Sequence, residues 1–291
     1  MAGFVGGKNG SGVFQKIISL IPPHDVYVEP FVGTGAVLRN KRLARRSVAL
    51  DLSPGTIDKL SGVVPQEAPG HIAPEGNVRS RFRSITDGKD DVSSLFPGTE
   101  LIVGDGVEYL KRMAIPSSTS VFVYADPPYV RSARADPDRD YYEHEWTDAD
   151  HATFLDVVDR LPCNVMISGY ESLLYTSRLD QLKWRACRYT AQTRGGLAEE
   201  WLWMNYERPE RLHDYRYIGC DFPGRWRIRK RQRSWLRMLK QMPPLERRAM
   251  LAAVIDEFGD EVFTYLDGYD TGGIDKRGGG IRKALAASER N

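Results

Sequence analysis

Residues 26–35, VYVEPFVGTG, constrain the fold more than any other stretch of the chain. They open on alternating apolar residues and switch abruptly to glycine, which predicts a strand running into a tight turn and then a helix. Gly33 and Gly35 let backbone approach a bound molecule, and the helix N-terminus that follows presents unpaired N–H groups. A site for a nucleotide-like molecule is one reading of such a turn, and a purely structural turn is the other. With 291 residues the chain can build one large α/β domain and a smaller attachment without covalent staples.

The same rhythm continues along the chain. A glycine-rich segment around Lys8, a binding-site lip or a frayed terminus, precedes a short amphipathic helix over 13–20 that Pro22 and Pro23 stop. Strand 26–29 and a helix over 36–41 follow, then strand 47–50 running into Asp51. An acid at the end of the second strand, about 20 residues past a glycine turn, is where nucleoside-binding folds place the acceptor for ribose hydroxyls. An N-cap or a surface acid is the alternative for Asp51. From 53 to 97 prolines and glycines break almost every candidate element, leaving a strand-like run over 78–85 with Arg79, Arg81 and Arg83 on one face. Strand 101–103 ends at Gly104-Asp105, with a helix over 106–113 behind it. The apolar run 121–125 reads as a strand buried on both faces and delivers Asp126-Pro127-Pro128-Tyr129 at its carboxyl end. Thr147 and Asp150 predict a capped helix carrying Phe154, Leu155, Val158 and Leu161 inward. Strands over 164–167, 184–189 and 200–205 complete an α/β, doubly wound, mostly parallel sheet with an antiparallel strand near its end. Helices over 230–242 and 245–258 follow, the first with Trp235 facing a core, and a Gly- and Lys/Arg-rich tail begins after Asp270.

Composition excludes several classes. No apolar run approaches ~18 residues, so no membrane span is expected, and the start of the sequence lacks a signal-peptide pattern. Cys163, Cys187 and Cys220 are widely spaced and odd in number, which points to a reducing, cytoplasmic setting rather than a disulfide framework or thiolate metal site. No metal is assigned. Charge is distributed unevenly: residues 207–250 hold thirteen Lys/Arg against five Asp/Glu, while 131–160 hold four against nine. Such a basic block suits a polyanion, most simply nucleic acid, although a solvated arginine-rich surface has the same composition.

Asp126-Pro-Pro-Tyr129 has a chemistry of its own. Two prolines restrict φ, remove two N–H donors and leave carbonyl oxygens in a fixed orientation. The Asp126 carboxylate beside the Pro127 carbonyl offers two acceptors, and Tyr129 supplies a flat ring. Two acceptors next to an aromatic platform suit the exocyclic NH₂ of a nucleobase. The nitrogen of such an amine is a poor nucleophile, because its lone pair is delocalised into the ring. Acceptors on both hydrogens favour pyramidalisation and stabilise the charge that develops as it attacks an electrophilic carbon.

These residues carry a family resemblance. Glu29-Pro-Phe-Val-Gly-Thr-Gly35 resembles the cofactor loop, and Asp126-Pro-Pro-Tyr129 the catalytic motif, of S-adenosylmethionine-dependent DNA adenine-N6 methyltransferases, and Gly6-Gly-Lys8 is similar to the DNA adenine methylase group in particular. The resemblance implies a seven-stranded Rossmann-like methyltransferase sheet formed by 1–52 and 101–206, with 53–100 as a short insertion for target recognition. It implies cofactor contacts from Lys8, Glu29, Pro30, Phe31, Gly33, Gly35, Asp51 and Asp105, with Lys8 at the methionine end and Asp105 by the cofactor adenine. The target adenine would be flipped from the duplex, stacked near Tyr129 and held through N6 by Asp126 and Pro127.

The partner the resemblance implies is double-stranded DNA. Because the insertion is small and slightly acidic, its grip is assigned to Arg225, Arg227, Arg229, Lys230, Arg231 and Arg233 in a basic helical extension over 207–270, with a flexible tail over 271–291, and Arg79, Arg81 and Arg83 as secondary candidates. An RNA adenine methyltransferase, and a non-catalytic nucleic-acid-binding protein that retains the pocket, stay open as alternatives, as does the oligomeric state.

Overall fold

A computed structural model describes residues 8, 10, 12–62, 99–193, 196–219 and 221–267. Strands β1 (Val26–Glu29), β2 (Arg46–Asp51), β3 (Thr99–Val103), β4 (Val121–Ala125), β5 (Asn164–Gly169), β6 (Arg185–Thr193) and β7 (Gly196–Met204) form one sheet in the order β3-β2-β1-β4-β5-β7-β6. Every pairing is parallel except those of β7, which runs antiparallel to both β5 and β6. This is the doubly wound, mostly parallel, seven-stranded sheet expected from the sequence.

Side-chain alternation divides the core between the two faces. Tyr27, Phe122, Tyr124 and Met166 pack on one face against α1 (Val13–Ile18), α2 (Ala36–Asn40) and α3 (Pro54–Gly62). Val28, Val123, Val165 and Ile167 pack on the other against α4 (Gly106–Arg112), α5 (Asp148–Asp159) and α6 (Leu173–Gln181). All five residues of β4 are buried, as an unbroken apolar run between two helical layers must be. The cap expected at Thr147 is present: its hydroxyl accepts from the Asp150 N–H, and the Asp150 carboxylate accepts from the Thr147 N–H at 2.8 Å.

Two helices were not legible as such. In α3, Pro54 stands in the first turn, where a missing N–H costs nothing, and Ile57 and Leu60 enter the core. Short α6 buries only Tyr175 and Leu179, behind a Ser172 cap. Residues 63–98, with Arg79, Arg81 and Arg83, lie outside the described residues, as do 194–195, Cys220 and the tail.

Residues 207–219 belong to the same compact unit as the sheet, which extends to Lys230 rather than ending near 206. His213 N–H donates to the Ile21 carbonyl at 2.9 Å, and the Asp214 carboxylate accepts from Arg42 N–H at 2.9 Å. The His213 and His24 rings stack with centroids 3.8 Å apart. A second unit begins at Arg231; its described part is the end of α7 (Phe222–Gln241) and α8 (Pro244–Asp267). Trp235, expected to face a core, is 49% exposed; helical spacing places it on one side of α7 but does not supply a covering element. No helix among the described residues is long and apolar enough to cross a membrane.

Candidate functional site

Strand order reverses between β1 and β4: from β1 the chain moves outward to β2 and β3, then returns to lay β4 on the other side of β1. Loops leaving the carboxyl ends of two such strands diverge, so a crevice opens between them. Here it has a volume of about 270 Å³, and it contains both the glycine turn after β1 and Asp126-Pro-Pro-Tyr129 after β4.

The glycine-turn end is built by backbone. Gly33 and Gly35 adopt positive φ of 47° and 63°, which turns the chain into α2. At Gly33 a Cβ would meet open space, so the backbone borders the crevice directly. The Asp51 carboxylate at the end of β2 accepts from Gly33 N–H at 3.0 Å and Ser53 N–H at 2.9 Å, clamping the turn to the neighbouring strand. Burial raises the Asp51 pKa against the pull of those two donors. Asp105 caps α4, accepting from Val107 N–H at 2.7 Å and Glu108 N–H at 3.1 Å. Behind it, a Cβ on Gly106 would lie 2.3 Å from the Pro30 carbonyl oxygen, so only glycine lets α4 approach this close. Phe31 and Trp146, edge to face at 5.3 Å, form an apolar wall.

The Asp126 end is built by charge. Lys8 Nζ lies 2.9 Å from Asp126 Oδ1 and 3.3 Å from Glu200 Oε2, and it donates to the Tyr129 hydroxyl. Ser168 Oγ, at the end of β5, donates to Asp126 Oδ1 at 2.7 Å and lies 3.0 Å from the Tyr124 hydroxyl. Glu200 is buried on β7 and collects the hydroxyls of Tyr129 at 3.0 Å and Tyr189 at 2.6 Å. Burial alone would lower the Lys8 pKa, but the charges of Asp126 and Glu200 outweigh it and hold the ammonium protonated. Burial likewise raises the Asp126 carboxyl, while Lys8 and Ser168 oppose that rise. Nearby Glu29 is pushed up to about 8 by burial, with the Tyr27 hydroxyl donating to it at 2.7 Å.

A third group shapes the loop between these ends. The buried Arg134 guanidinium donates through Nε to the Tyr129 carbonyl at 2.8 Å and pairs with Glu145 at 2.6 Å. Glu145 in turn accepts from Tyr141 N–H at 2.7 Å and Tyr142 N–H at 3.0 Å, and Tyr142 lines the crevice. The acid-rich stretch that follows β4 is thus tied back to the backbone of Tyr129.

Of the residues expected at the site, Lys8, Glu29, Pro30, Phe31, Gly33, Asp51, Asp105 and residues 126–129 all line this one crevice. Gly35 stands behind the turn, where a Cβ would meet Leu60 at 2.8 Å. Lys8 contacts the Asp126 end. The Tyr129 ring is 5% exposed and stands edge-on to Tyr170, with centroids 4.5 Å apart. Tyr124, Tyr189 and the Arg134–Glu145 pair were not among the expected site residues, whereas Ser168, at the end of an apolar strand, and Glu200, which could orient the catalytic loop, carry a weaker signal in the sequence. On α7, Arg227, Arg229, Lys230, Arg231 and Arg233 are exposed, whereas Arg225 is buried against Gly12 and Gly219. Lys230 Nζ sits 5.0 Å from the centre of the exposed Trp226 ring.

No protein-family model and no curated protein matches the sequence. Among solved structures the chain overlaps with a precorrin 8w decarboxylase of Methanobacterium thermoautotrophicum at 15% identity and TM-score 0.38, covering 71% of this chain and 100% of that one. It overlaps with an rRNA methylase of Streptococcus thermophilus at 14% identity and TM-score 0.35, over 68% of this chain and 95% of that one. A magnesium protoporphyrin IX methyltransferase of Synechocystis with bound SAM overlaps at 8% identity and TM-score 0.36, over 63% of this chain and 70% of that one. These overlaps are partial, and the chemistry is read from the crevice itself.

Proposed function

We propose that the chain is a DNA adenine-N6 methyltransferase that takes its methyl group from S-adenosylmethionine. The observation that carries the reading is one crevice lined both by a glycine turn with a strand-end carboxylate and by Asp126, Pro127, Pro128 and Tyr129. The residues fit that cofactor. Each Asp51 oxygen accepts one backbone N–H, and a carboxylate oxygen can accept a second bond, which leaves room for a ribose diol. Open backbone at Gly33 suits the amino-acid end, and the Phe31 and Trp146 rings, with Asp105 beside them, suit a purine. When bound, the cofactor would supply an electrophilic methyl group on a sulfonium, whose sulfur would keep the electron pair of the broken carbon–sulfur bond and leave as a neutral thioether.

The protein's own part is to hold an amine and absorb its charge. Asp126 is 18% exposed, so its carboxylate opens to the crevice while Ser168 and Lys8 fix its position. One amine hydrogen goes to Asp126 and the other to the Pro127 carbonyl, which draws the nitrogen lone pair out of the ring. As the nitrogen gains its fourth bond, the positive charge on it faces the Asp126 carboxylate, a contact stronger in the transition state than before it. The surplus proton then leaves to solvent. Lys8 opposes the rise that burial imposes on the Asp126 carboxyl and so favours its ionised form. Glu200 holds the Tyr129 hydroxyl and Arg134 holds the Tyr129 carbonyl, so the motif keeps its shape from both sides.

An amine inside a stacked duplex cannot reach this crevice, so the base must be flipped out. The exposed bases of α7 would grip phosphates without reading sequence. The test is transfer of labelled methyl from S-adenosylmethionine to matched DNA and RNA, as duplexes and single strands, with the product nucleoside identified by mass. N6-methyladenine in DNA is expected. Label on RNA alone, on cytosine or on nothing would overturn the assignment.

A further inference from the structure

The second unit carries two apolar stripes that stay partly exposed among the described residues. On α7, Trp235, Leu236 and Leu239 share one side, continued by Met242, and on α8 Leu251, Val254 and Ile255 share one side up to Phe258, where the helix kinks with φ −121° and ψ 24°. Leu251, Ile255 and Phe258 are 46%, 42% and 50% exposed. Within regular helix each stripe spans just over one turn, about 6 Å. Their surroundings differ in charge: residues 231–241 hold four bases and no acid, whereas 249–267 hold five acids and no base.

We propose that a second copy of this chain covers these faces, with α7 of each copy lying against α8 of the other. Pairing α7 with α7 would set base on base, and α8 with α8 acid on acid; only the crossed pairing joins opposite charges around an apolar seam. A two-fold axis repeats the crossed contact, so one isologous association covers all four stripes in a four-helix arrangement. Residues 268–291 are poor cover, because Ile274, Ile281 and Leu285 are their main aliphatic side chains and three consecutive glycines, 278–280, interrupt them. The inference does not depend on methyl transfer.

Two charge-reversed full-length chains test it. One carries Arg231→Glu, Arg233→Glu and Lys240→Glu, which turns the 231–241 part of α7 acidic like the stripe of α8; the other carries Asp256→Lys, Glu257→Lys and Glu261→Lys, which turns the 249–261 part of α8 basic like α7. In sedimentation velocity the unaltered chain should run at twice its 32.9 kDa mass. Each variant alone should run as a monomer, its self-association weakened at least about tenfold, and an equimolar mixture should recover the dimer, because the mixed pair is complementary at both contacts. That recovery also shows both variants to be folded. A monomeric parent chain, variants that each still dimerise, or a mixture that stays monomeric would overturn the proposal. So would a monomeric parent that dimerises only when cut after residue 267, which would make the tail the cover.

Discussion

Replacing Asp126 with asparagine separates the amine-holding role from the structural one, because the two losses have different sizes. Lys8 Nζ lies 2.9 Å from Asp126 Oδ1, a separation worth roughly 6 kcal/mol of Coulomb attraction at an effective dielectric constant near 20. Most of that offsets the cost of burying the two charges, and removing one member of a buried pair typically costs about 3–5 kcal/mol. The lower end applies here, since Glu200 remains 3.3 Å from Lys8 and the asparagine side chain keeps an oxygen for the Ser168 hydroxyl. The melting temperature should therefore fall by about 5 °C or somewhat more. Catalysis should suffer on a different scale: loss of a charged acceptor facing developing charge costs about 10²- to 10³-fold in kcat. Cofactor affinity should stay within about threefold, because Asp126 bonds to Lys8 and Ser168 while Asp51 and Gly33 form the other end of the crevice. Isothermal calorimetry with the cofactor product and single-turnover methyl transfer read the two quantities separately. A folded Asp126→Asn variant that keeps methyl transfer within about tenfold of the parent would refute the assignment of Asp126 to the amine.

Other perturbations probe the remaining parts. Asp51→Ala removes a charged acceptor from the strand-end clamp, so cofactor binding measured by calorimetry should weaken by about 10- to 100-fold with DNA affinity unchanged. Gly106→Ala would put a methyl 2.3 Å from the Pro30 carbonyl, and the backbone shift needed should cost about 1–3 kcal/mol in a denaturant melt and weaken cofactor binding with it. Replacing Arg227, Lys230 and Arg237 with glutamine should lower the salt slope of DNA binding by about one unit for each lost phosphate contact, leaving cofactor affinity intact; an unchanged slope would remove α7 from the DNA interface. Buried His213, packed against His24 and facing Lys41 and Arg42, has its pKa lowered to about 4 by burial. The unfolded chain, at about 6.5, then binds the proton first, so stability present above pH 6.5 is lost as pH falls toward 4, by up to roughly 3 kcal/mol. In urea melts across that window, His213→Gln should flatten the slope, and a slope that does not change would reject the buried neutral histidine.

How much of this was legible in the chain depends on the distance over which each feature is encoded. The strand, turn and helix at residues 26–40 were readable because a change of period and two glycines lie within fifteen residues. The Asp126 motif was readable because its prolines and carboxylate are contiguous. Glu200 was readable only as a residue that either orients the catalytic loop or packs, because it meets Lys8 and Tyr129 through antiparallel β7 pairing with β5, which carries residue 200 to the strand ends where Asp126 emerges. Helix α3 was hidden for the opposite reason, since Pro54, Gly55 and Gly62 read as breakers although Ile57 and Leu60 pack into the core. Trp235 marks a third kind of failure. Periodicity establishes that side chains share a face, but the element that covers the face is a tertiary fact, and for α7 and α8 the proposed cover is a second chain. The least legible residues are therefore those whose partners lie far along the chain or outside it, and the buried charges around Asp126 belong to the first group. Burial pushes a carboxyl toward its neutral form, and the counter-charge that opposes this at Asp126 is not supplied by local sequence but by Lys8, reaching it across 118 residues.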